Sequence, residues 1–149
     1  MIFQGAEVWL LIVGLIVGTI VLFLALYVAE MYIISKTTAH DRKLATLLCA
    51  FLGVFLVPIL AGAIGLLFGI IGGAIASVQN LIPAITPQNY LMQLVPIFAY
   101  LIFWIICKYI ISTTWEKSGL VALVGLIILY LIYTLFPMIP QTLDFITVV

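Results

Sequence analysis

Four runs of apolar residues, parted only by short polar breaks, dictate what this chain can become. Crossing a hydrocarbon core of about 30 Å takes about 20 apolar residues at roughly 1.5 Å of helical rise each. Inside lipid no water satisfies the backbone, so a run of this kind must pair its own N–H and C=O groups as a helix. The runs cover about 8–35, 44–77, 90–112 and 115–136. They predict an all-α, polytopic membrane protein of four transmembrane helices, folded as a single domain over 1–149. A water-soluble bundle is excluded by composition. Apolar residues make up 67% of the chain and charged ones 7%, against about 45–50% and about 25% in soluble domains. Such a chain lacks the polar groups to cover its own surface.

The first run reads as a retained span rather than a secretory leader. No Lys or Arg precedes it, Glu7 stands there instead, and the stretch Val8–Ala29 exceeds a leader's core of about 7–15 residues. Orientation follows from the cations. Lys36, Arg42 and Lys43 lie in the first polar break, and Lys108 and Lys117 flank the third. Short loops rich in Lys and Arg stay on the cytoplasmic side. The expected arrangement is therefore both termini outside the cell membrane and both basic links inside.

The second run is too long for one straight crossing, and Pro58 lies within it. Proline removes a backbone donor and crowds the preceding turn, so helix 2 is expected to be long and kinked near Pro58. The competing reading is a broken helix whose second half lies flat or re-enters. Asp41 is a suitable N-cap for this span. Thr113 and Glu116 have the spacing of a capping box opening the fourth span. The link Gln79–Asn89 is uncharged and carries Pro83 and Pro87, which suits an interfacial loop or short surface helix. Pro137 and Pro140 are expected to stop the last span.

Glycine forms the clearest pattern after topology. Gly62, Gly65, Gly69 and Gly73 recur on one helical face of the second span, and Gly14 and Gly18 make a further GxxxG pair in the first. In lipid such faces let helix backbones approach closely. They are candidate packing surfaces, either within the bundle or toward another subunit.

Candidates for chemistry are few. Glu30 follows the first apolar run and is placed near the inner interface, in reach of Lys36, Arg42 or Lys108 as an ion pair. His40 beside Asp41 has useful protonation chemistry but reads as a solvated loop residue. Arg42, Lys43, Lys108 and Lys117 are candidates for contacts with anionic lipid headgroups. Thr19 and Gln93 are expected to hydrogen-bond between helices. Cys49 and Cys107 read as small packing residues on the reducing side.

The functional expectation is a non-catalytic integral membrane subunit of a larger complex. Its partners are the lipid bilayer and either other membrane subunits or copies of itself. No cofactor beyond lipid and no metal site is read from the chain. There is no GxSxG, HExxH or phosphate loop, so no autonomous active site is expected. Two other readings are a small homo-oligomeric channel or transporter, and a hydrophobic helical coat protein of a virion. Nucleic acid enters only in the coat-protein reading, because the formal net charge is zero.

Overall fold

The computed structural model describes residues 3–82, 86 and 88–136. In chain order these form α1 (Phe3–Ile33), α2 (Lys36–Asp41), α3 (Lys43–Gln79), a 3₁₀ turn (Tyr90–Leu94), α4 (Val95–Ile111) and α5 (Trp115–Leu135), with no strand among the described residues. Four helical stretches are long and apolar enough to cross a membrane: Val8–Ile33, Lys43–Gln79, Tyr90–Ile111 and Trp115–Leu135. Pro83, Pro87, Pro137 and Pro140 lie outside the described residues.

The first basic link is a helix rather than a loop. Ser35 is extended (φ −178°, ψ 158°), and its Oγ accepts from the Thr38 N–H at 3.2 Å, capping α2. This cap ends α1 at Ile33, short of the expected Ser35. Asp41 does not cap the second span, because it is the last residue of α2. Arg42 holds the junction, makes no side-chain cap bond, and gives its carbonyl to the Thr46 N–H at 3.0 Å.

Helix α3 has 37 residues and runs without interruption through Pro58. The broken-helix reading is therefore overturned. Proline strands one carbonyl, whereas a break in an apolar setting strands several backbone groups at once. At about 1.5 Å per residue α3 measures roughly 55 Å, well beyond a hydrocarbon core of about 30 Å.

The α4–α5 corner also differs from expectation. Ser112 takes the left-handed conformation (φ 54°, ψ 45°), which ends α4 and moves the start of α5 by one residue. The N-cap is thus Thr114, not Thr113, and its side chain makes no cap bond. Glu116 becomes the second residue of α5, so the capping box does not form. Thr113 Oγ1 is left buried with no hydrogen-bond partner among the described residues.

Packing is a ring in which each long helix touches two others. Among the described residues the backbone of α1 runs beside α3 and α5, and that of α4 beside the same two. This is an up-down-up-down bundle with short connections. Three glycines leave no room for a side chain where helices meet. A Cβ at Gly53 would stand 2.7 Å from Phe103 Cε2 and 3.1 Å from Leu22 Cδ2, at Gly119 2.9 Å from Trp104 Cε2, and at Gly125 2.8 Å from Leu26 Cδ2. The buried core around them comprises Leu22, Leu26, Cys49, Phe103, Ile111 and Val121 with smaller side chains.

Candidate functional site

Chemistry-bearing side chains gather at one end of the bundle, where α1 stops, α2 crosses and α4 turns into α5. Two layers can be distinguished. The inner one is buried. Glu30 is 1% exposed, and its partner is Thr46, itself fully buried. Thr46 Oγ1 lies 2.9 and 3.0 Å from the two carboxylate oxygens and 3.1 Å from the carbonyl of Arg42. One hydroxyl proton serves these acceptors in turn. Glu30 is thus enclosed by protein rather than open to water. Helix α2 folds the chain back so that α3 closes over the carboxylate, and its partner is a hydroxyl rather than a cation. One helical turn further along α3, Cys49 Sγ lies 3.3 Å from Cys107 Sγ on α4; both thiols are free and buried. Sequence spacing gave no sign of that approach, which depends on the register of two helices linked through residues 80–89.

The outer layer is basic. Arg42 Nη1 donates to the carbonyls of Ile111 at 2.6 Å and Ser112 at 3.2 Å, which satisfies orphan acceptors at the end of α4. Lys108 Nζ donates to the Thr113 carbonyl and lies 5.7 Å from the centre of the Trp115 ring. Arg42, Lys108 and Lys117 line one shallow recess of about 440 Å³ with Thr38, Thr113 and Thr114. Lys36 and Lys43 are exposed and do not line it, and His40 is exposed on α2. The structure therefore brings together three of the basic residues and separates two.

The aromatic residues of α4 fix the neighbouring α5. Trp104 Nε1 donates to the Trp115 carbonyl at 2.9 Å and to Ser118 Oγ at 3.1 Å, and the Tyr100 hydroxyl donates to the Gly119 carbonyl at 3.1 Å. The polar residues expected to bridge helices do not. Thr19 donates within α1 to Leu15 at 2.7 Å, and Gln93 is exposed on the 3₁₀ turn. Asn89 instead makes the unforeseen bridge, its Nδ2 donating to the Phe68 carbonyl at 3.2 Å while its side chain crowds Gly72.

Between the four helices lies an apolar cavity of about 300 Å³, lined by Leu22, Gly53, Pro58, Phe103, Leu129 and Tyr133 among others. Among the described residues no three His, Cys, Asp or Glu side chains gather as a metal site.

The glycines singled out in the sequence divide into two sets. Gly14 and Gly18 are buried on α1. On α3, a Cβ at Gly65 would make only ordinary contact with Val95 at 3.8 Å, and at Gly62, Gly69 and Gly73 it would meet no atom within 4 Å. Among the described residues that glycine face receives no helix, whereas α1 and α4 close on α3 at Gly53. Compared with known family models, with curated proteins and with solved structures, the chain gives no match in any of the three.

Proposed function

We propose that this chain is a non-catalytic integral membrane subunit of a larger membrane protein complex. It lies in the cell membrane with both termini outside and both basic links in the cytoplasm. The bend of α3 belongs at Pro58. The observation that carries the reading is the glycine face on the outer half of α3, which no helix covers among the described residues. Leu66 is 68% exposed and Ile70 64%, and they flank glycines with open space above them. A surface with gaps at four-residue spacing accepts a second helix backbone along its length. The occupant we assign is a membrane-spanning helix of an unlike subunit.

The fate of the polar groups supports the same reading. Catalysis needs several preorganised polar groups converging on space for a substrate. Here Glu30 is enclosed with Thr46, and Arg42 and Lys108 bind backbone carbonyls. The central cavity offers an apolar lining rather than convergent donors.

Purification from native membranes in mild detergent tests the proposal. Unlike membrane proteins in fixed ratio with the chain are the expected result. A homogeneous ring of this chain alone would replace the subunit reading with a homo-oligomer. Orientation is tested separately by accessibility of cysteines introduced at Ala39 and Thr142. They should label from opposite sides, and labelling from one side would overturn the topology.

A further inference from the structure

We infer that the recess at the α4–α5 corner binds a phosphate group, supplied by the headgroup of an anionic phospholipid. Three observations converge there. Arg42, Lys108 and Lys117 share the recess, and none is ion-paired to a carboxylate among the described residues. Arg42 and Lys108 are held in place by the carbonyls they cap, so two of the three charges are oriented before any ligand arrives. Bringing three cations together in one recess is costly without an anion, and phosphate is the anion abundant at a cytoplasmic membrane face.

The second observation is the start of α5. A 21-residue helix begins at Trp115 with no side-chain cap from Thr114. Its first N–H groups and its dipole favour an anion at that end. The third is Thr113: the residue lines the recess, and its hydroxyl is buried without a partner among the described residues. A buried hydroxyl is almost always bonded in a folded protein. Turned toward the recess, this hydroxyl would find its acceptor in a phosphate oxygen. The surroundings favour a lipid as the source of that phosphate. Trp115 and Tyr109, half or more exposed at 51% and 72%, stand at this end of the bundle, as interfacial aromatics do.

The test uses the full-length chain in phosphatidylcholine nanodiscs, with thermal unfolding followed as phosphatidylglycerol or inorganic phosphate is added. Phosphatidylglycerol should raise the unfolding temperature, saturating at one lipid per chain. Lys117→Gln, which removes a side chain with no hydrogen bond among the described residues, should weaken that binding about fivefold. Thr113→Val should weaken it about tenfold while leaving the ligand-free protein as stable as before, because the lost hydroxyl has no partner to abandon. Lys36→Gln, outside the recess, should bind like the parent. Inorganic phosphate acting with the same sensitivity to Lys117→Gln and Thr113→Val, where the lipid does not, would keep the phosphate site and overturn the lipid as its source. No stabilisation by either ligand, or equal stabilisation of both variants and the parent, would overturn the site.

Discussion

Glu30 shows how one residue's environment decides its role. A carboxylate in the interior is tolerated when a donor faces it, and Thr46 is that donor. Removing the donor should cost more than removing the charge. Thr46→Val is expected to destabilise the folded chain by about 1–3 kcal/mol, the penalty for an unsatisfied buried acceptor. Glu30→Gln keeps an oxygen for the same hydroxyl and should be milder. Thermal unfolding in detergent ranks the two, and a reversed order would mean that the charge itself matters to stability. In the assembled complex, Glu30→Gln and His40→Ala should leave activity largely intact when subunit content is normal. The double variant should behave as the two singles together, since the residues have no joint role. A large fall in turnover or transport with normal assembly would move Glu30 into the working machinery.

At the scale of elements, the glycines of α3 serve two purposes, and substitution separates them. Gly53→Ala places a methyl against Phe103 and Leu22 and should cost about 1–3 kcal/mol of stability through overpacking. Gly69→Ala meets open space and should stabilise the isolated chain by up to about 1 kcal/mol from helix propensity alone. Denaturation of the two variants side by side gives the comparison; equal losses would mean that the outer half of α3 packs against its own chain. The register of α3 on α4 has its own check. Cys49 and Cys107 should form an intrachain disulfide with a membrane-permeant oxidant, seen as a mobility shift lost in Cys49→Ala. Failure to crosslink would displace the two helices from each other. The four spans were legible in the sequence because hydrophobicity is a local property. The caps at Asp41 and Thr113 were misread because a six-residue helix and a left-handed Ser112 moved each helix start. The glycine stripes were legible as faces for close packing, but not whose helix each one receives. GxxxG spacing marks a face that accepts a helix, but Gly53, Gly119 and Gly125 stand outside the recognised stripe and find their partners only through three-dimensional register. The basic residues were visible as a topology signal. Their division into a recess of Arg42, Lys108 and Lys117, with Lys36 and Lys43 outside it, required the corner geometry.

For the molecule as a whole, the bundle is asymmetric along its length. The end bearing the basic links is closed by the α1–α3 and α4–α5 crossings, by the Glu30–Thr46 contact and by carbonyl-capping cations. Toward the other end, Val95, Phe98 and Asn89 lie against α3 at Gly65, Phe68 and Gly72, while a Cβ at Gly62, Gly69 or Gly73 would meet no described atom within 4 Å. Such a division suits a subunit that folds around one end and docks with the other. It predicts that assembly and folding respond to different substitutions. Gly69→Leu should leave helicity and the basic-end core unchanged and obstruct the approach of a partner helix. The decisive measurement is the mass of the complex released from native membranes in mild detergent, determined for the parent and for Gly69→Leu. The account predicts unlike subunits at fixed stoichiometry with the parent and their loss from a still helical Gly69→Leu chain. The same composition in both would contradict it, as would a parent chain that carries no unlike subunit at all.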